Sequence, residues 1–225
     1  MAGSVPMPTP ERRFPSATPL EALAVVAICF GWFIFVSLTA VAAGFPRGAG
    51  FSDSAFVEII AMELVLGGAA LSLLRARGYP VAQLLPTPSV RGGLIGIGLF
   101  VVALLVWGLV AGLFSGSDFA RQPIADIMAD TQVSTPWVVT LSIVNGLYEE
   151  TFLVGYLLRG FRASGPALAI GISVLVRLLY HLYQGPIGAL SVLVFGVVVS
   201  LFYWRTGRLW PIVVAHVLAD LLAFG

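Results

Sequence analysis

The stretch TPWVVTLSIVNGLYEETFLVGYLLRGF, Thr135 to Phe161, reads as a membrane-spanning helix except for two adjacent glutamates, Glu149 and Glu150, in its middle. About 20 apolar residues are needed to cross about 30 Å of hydrocarbon. A charged side chain at that depth costs about 2.5–3.5 kcal/mol on insertion scales, so such residues face a bundle interior, find partners and mark function. Two carboxylates side by side in a low dielectric resist ionising together unless a cation answers them. That cation has to come from elsewhere in the chain.

The composition supports the same environment. Of 225 residues 59% are hydrophobic and 10% charged, and the mean hydropathy is +0.99, whereas soluble domains are about 25% charged. An integral membrane protein follows, with the lipid bilayer as its first partner. A net charge of +1, with all 12 basic residues Arg, gives no electrostatic case for nucleic acid. The single cysteine, Cys29, allows no intrachain disulfide.

Seven apolar runs are long enough to span or nearly span: Pro19 to Ala43, Ala55 to Leu74, Gly92 to Phe114, Pro136 to Leu158, Pro166 to Leu182, Gly188 to Trp204 and Leu209 to Phe224. The expected fold is an all-α, polytopic membrane bundle of about seven transmembrane helices over 19–225. Residues 1–18, Pro- and Ser-rich, are expected to form a disordered cytosolic tail. The first run is longer than a signal-peptide core, so it is expected to stay as a helix.

Orientation follows from the arginines. Arg12, Arg13, Arg75, Arg77, Arg91, Arg159, Arg162, Arg205 and Arg208 flank the runs on one side, and only Arg47 and Arg121 on the other. The positive-inside rule makes the rich side, with the N-terminus, cytoplasmic. The connection Ser115 to Ser134, with Asp118, Asp126 and Asp130, is then external. Arg-rich, Lys-free usage points to a bacterial chain, hence a plasma-membrane location.

Few other ionisable residues lie inside the runs: Glu58 and Glu63, Arg177 and His181, His216 and Asp220. Arg177 and His181 are four apart, as are His216 and Asp220, so each pair shares a helix face. Glu149 aligns with Asn145, and Glu150, turned by about 100°, with Gly146 and Val154, so the two carboxylates are expected to point in different directions. Arg177 is expected to hold Glu150 from the neighbouring helix, leaving Glu149 free for chemistry. Counted along the helices at about 1.5 Å per residue, His216 lies about 10 Å deep from the arginine-rich ends, Glu149 about 15 Å and His181 about 20–25 Å. Glu63 reads as a neutral or hydrogen-bonded carboxyl between helices and Glu58 as interfacial. Carboxylates with histidines serve three uses: activating water, binding a divalent cation such as zinc, or relaying protons.

GLYEETFLVGYLLRGF, SVLVRLLYHLYQGP and WPIVVAHVLAD, in that order on separate runs, resemble the three motifs of the CPBP family of CAAX proteases and bacteriocin-processing proteins. The resemblance covers about Trp137 to Gly225, so the catalytic core is expected at about 135–225. Glu149 and Glu150 match the family's diglutamate, His181 its middle histidine, and His216 with Asp220 its last motif. Two positions depart: Val154 stands where the family has Arg, and Arg177 where it has Phe. The two departures read as compensatory.

The resemblance implies an intramembrane endopeptidase that hydrolyses a membrane-associated or lipidated peptide or protein. Glu149 and His181 then activate water, His216 and its i+4 partner Asp220 stabilise the oxyanion, Glu150 completes the catalytic set, and Arg177 and Asn145 support it. Asp220 strains this assignment, since an ionised carboxylate repels an oxyanion; it then orients His216 or binds a cation. Glu149, His181 and His216 are also the candidate ligands for a metal such as zinc. Cleavage is expected from the cytoplasmic side. The competing readings are a non-catalytic scaffold or immunity protein and a proton-coupled transporter.

Overall fold

The computed structural model describes residues 14–45, 50–114 and 122–225. Arg12, Arg13, Arg47, Asp118 and Arg121 lie outside the described residues, as does most of the expected tail. The helices are α1 (Pro19–Ala42), α2 (Asp53–Ala76), α3 (Val90–Gly112), α4 (Pro123–Ala129), α5 (Thr135–Glu150), α6 (Pro166–His181), α7 (Gly185–Thr206) and α8 (Trp210–Phe224). Each of the seven apolar runs forms one of them. The eighth, α4, is a short helix within the connection read as external.

Local chemistry sets the helix ends. Thr18 and Glu21 form a reciprocal capping box at the start of α1, and the hydroxyls of Ser52 and Ser89 cap α2 and α3. Proline in the first turn opens α5, α6 and α8, where a missing N–H costs nothing. Gly207, in the left-handed conformation at φ 64°, closes α7.

Large apolar side chains such as Leu20, Leu94, Leu105 and Leu109 face outward, as lipid contact requires. At the arginine-rich end, residues 14–18 are docked rather than part of a free tail. Ala17 is buried, its N–H donates to the Gly160 carbonyl at 3.0 Å, and Phe14 lies under the Arg159 guanidinium at 4.1 Å. Of the expected tail, the described residues 14–18 thus pack against Arg159 and Gly160. At the opposite end, Asp53 accepts from the Ser134 N–H at 2.7 Å and hydroxyl at 2.9 Å, tying the connection after α4 to the start of α2.

The central element is α5, packed against α2 and α8. After Glu150 it continues as a π-helix over Thr151–Leu158, all eight residues of which are buried. π turns inside α-helices are rare and concentrate at functional sites. Close approach elsewhere depends on glycine: a Cβ on Gly96 of α3 would meet the Pro211 carbonyl of α8 at 2.6 Å.

Candidate functional site: a clamped glutamate pair

Glu149 and Glu150 occupy the last two positions of α5 before the π segment, 4% and 0% exposed. Arg177 of α6 reaches both. Its Nη1 donates to Glu149 Oε2 at 3.0 Å and its Nη2 to Glu150 Oε1 at 2.6 Å. The expected pairing with Glu150 is present, but Glu149 is not left free. Both tips meet the same guanidinium although the Cβ atoms are about 100° apart, because the glutamate stems are flexible. A guanidinium presents several donors in one plane and so gathers two carboxylates at once. Val154, the position of the family's Arg, is fully buried among apolar side chains. In the π segment bonding runs i→i+5, so residue 154 falls short of a full turn from Glu150.

From α8, His216 closes the cluster. Its Nδ1 lies 2.5 Å from Glu150 Oε1 and its Nε2 3.8 Å from Glu149 Oε2. A carboxylate only accepts, so Nδ1 carries a proton. Asp220 Oδ1 is 3.6 Å from Nε2 of His216, and Asn145 donates to Asp220 Oδ2 at 3.0 Å while standing 3.4 Å from the same Nε2. Asp220 is thus held by Asn145 beside His216, the orienting position that its charge suggested. Phe195 of α7 packs on both groups, 5.6 Å from the Arg177 guanidinium and 5.4 Å from the His216 ring. Nothing in the sequence singled it out, since a phenylalanine in an apolar run is ordinary. Gly196 beside it makes room for the arginine: a Cβ there would meet Arg177 Cδ at 3.1 Å.

His181 does not join the cluster. It lies one turn beyond Arg177, and its Nδ1 donates to the Arg177 carbonyl at 2.9 Å, which leaves Nε2 as the nitrogen with a lone pair. The depth mismatch counted along the helices is resolved this way: Arg177, not His181, meets the carboxylates. The expected metal set of Glu149, His181 and His216 is corrected accordingly. The donor atoms that converge within 4.8 Å among the described residues belong to Glu149, Glu150 and His216. A divalent cation fits this set poorly, because Arg177 and His216 already place N–H donors on Glu149 Oε2 and Glu150 Oε1. The guanidinium takes the place of a cation.

A cavity of about 480 Å³ lies against the cluster, lined by Asn145, Glu149, Arg177, His181, His216 and Asp220 together with Glu63 of α2. Glu150 is not among its lining residues. Glu149 is therefore the carboxylate of the pair that meets the cavity, and Glu150 is the one sealed behind it. Toward α4 the wall is apolar and aromatic, with Phe51, Met128, Tyr183 and Phe224. These segments lie at the ends of the helices opposite Arg75, Arg77, Arg91, Arg159, Arg162, Arg205 and Arg208. The void thus extends into the arginine-poor half, not toward the side from which cleavage was expected. Helix depth gives axial position only and could not show on which side the void lies.

The fold and the cluster define a polytopic helical membrane protein with a buried Glu, Arg and His centre beside a cavity. Residues 131–222, about two-fifths of the chain, match the family described as type II CAAX prenyl endopeptidase Rce1-like. Over this stretch the chain is similar to a family of CAAX-type proteases. No curated protein and no solved structure matches the chain.

Proposed function

We propose that the protein is an intramembrane endopeptidase in which Glu149 activates the water that attacks a peptide carbonyl of a membrane-associated or lipidated substrate. The observation that carries this reading is the placement of Glu149 at the cavity wall with Arg177 at 3.0 Å. Donors from Arg177 and His216 answer the two carboxylates, which removes the repulsion of two bare charges. Glu149 takes a proton from water, and the resulting hydroxide adds to the carbonyl carbon. His181, with its Nε2 lone pair, is the second acceptor at the wall. The Asn145 amide and a protonated His216 Nε2 supply the donors for the oxyanion, and the proton on Glu149 passes to the leaving amine. Asp220 holds Asn145 and His216 in place rather than touching the oxyanion. The Arg177 clamp supports a glutamic rather than a metal-dependent hydrolase.

By the positive-inside rule the arginine-rich ends are cytoplasmic, so the cavity runs toward the exterior face of a bacterial plasma membrane and the substrate enters from there. The test is reconstitution of the full chain in vesicles with a lipidated peptide in ¹⁸O water. Hydrolysis releases two fragments with one ¹⁸O in the new carboxylate. Intact peptide bound to the protein with no fragments would favour the non-catalytic scaffold, and proton-coupled solute uptake the transporter.

A further inference from the structure

Glu63 has no part in the chemistry above. It is 4% exposed on α2 and lines the same cavity as Glu149 and Asp220. Its Oε2 is buried and has no hydrogen-bond partner among the described residues. Of the two forms expected from the sequence, neutral or hydrogen-bonded, the hydrogen bond is not made by Oε2 among the described residues. A buried acceptor left without a donor costs about 1–3 kcal/mol, so its place beside a cavity points to a donor that arrives with a ligand.

Two of the donor groups near the cavity are already engaged. Arg177 already spends Nη1 and Nη2 on Glu149 and Glu150. The nearby Tyr148 hydroxyl donates to the Cys29 carbonyl at 2.6 Å. The cluster and the cavity wall together carry four carboxyls, Glu63, Glu149, Glu150 and Asp220, against Arg177 and the two histidines. The surplus favours a cation. A divalent metal takes several oxygen ligands, yet Glu63 belongs to no convergent donor group among the described residues. Phe30, Phe56 and Trp107 line the same cavity, and aromatic ring faces accept an ammonium or guanidinium.

We infer that Glu63 is a specificity-determining residue whose carboxylate receives a cationic group of the substrate peptide: a Lys ammonium, an Arg guanidinium or a free α-amine. The inference rests on the endopeptidase reading. Its test uses the full-length protein in phosphatidylglycerol vesicles, a lipid without an amine, with lipidated peptides carrying Lys, norleucine or Glu at each position in turn. The wild type prefers Lys over norleucine at one position by about tenfold or more in kcat/KM, the discrimination a charge-assisted hydrogen bond supplies. In Glu63→Gln the ratio falls to about one, chiefly through KM, and Glu63→Arg turns the preference toward Glu. A wild type without preference, or a ratio that survives Glu63→Gln, overturns the inference. If no peptide is cleaved at all, the endopeptidase reading fails and binding decides. A Lys peptide that raises the melting midpoint of wild type more than its norleucine counterpart, with the difference lost in Glu63→Gln, supports the inference; equal shifts overturn it.

Discussion

Two Arg–Glu contacts in this protein have nearly the same length and opposite roles. Arg77 reaches Glu21 at 2.8 Å at the arginine-rich end, with the arginine side chain 57% and the glutamate side chain 15% exposed. Arg177 reaches Glu149 and Glu150 at 3.0 and 2.6 Å, with all three side chains at most 6% exposed. At the surface, water solvates the arginine about as well as its partner does, and losing that arginine costs little. In the interior each ion has lost its water, so the partner is a condition of its being there. Distance therefore says little about what an ion pair does; surroundings decide it.

The largest expected effect follows from removing the inner cation. Arg177→Ala leaves two buried carboxylates facing each other, and breaking a buried pair in this way costs about 3–5 kcal/mol. Folded yield in detergent, read by size-exclusion chromatography, should collapse. Neutralising the carboxylates as well, in Glu149→Gln with Glu150→Gln and Arg177→Ala, should restore much of the yield without activity. Gly196→Val comes next. A valine meets Arg177 Cδ, which a Cβ alone already approaches at 3.1 Å, and overpacking of this kind costs about 1–3 kcal/mol. Its melting midpoint should fall, and cleavage should fall further because the guanidinium is displaced. Asp220→Asn keeps the shape beside His216 but removes a charge held by Asn145 at 3.0 Å; peptide cleavage should drop about tenfold, within the range for groups that orient a catalytic residue. The smallest effect is that of Arg77→Ala, whose melting curve and cleavage rate should match wild type. A large loss there would erase the contrast between the two pairs.

The seven apolar runs were legible as helices because hydrocarbon thickness imposes a length that they show directly, and four helical stretches among the described residues are long and apolar enough to cross a membrane. The charged residues of the site were legible for the same reason: Glu149, Glu150, Arg177, His216 and Asp220 are conspicuous where ionisable groups are expensive. Their convergence was not. An ideal 100° step separates Glu149 from Glu150 at the backbone, and only the side-chain torsions and the fork of Arg177 bring the tips together. The π segment from Thr151 is equally hidden, since TFLVGYLL has the same composition as an α-helical run. His181 was assigned by its place in a motif, while its neighbour Arg177 holds the contact. Glu63 looked like any carboxyl between helices, because the sequence does not record whether an oxygen has a partner.

The division of labour between Glu149 at the cavity and Glu150 behind it is the central claim, and Glu149→Gln tests it most directly. The substitution keeps size and leaves Arg177 with Glu150. In reconstituted vesicles the variant should retain the wild-type elution profile and lose peptide cleavage by about 10²–10⁴-fold, the range for removal of a general base. Cleavage at the wild-type rate by a folded Glu149→Gln protein would contradict the account.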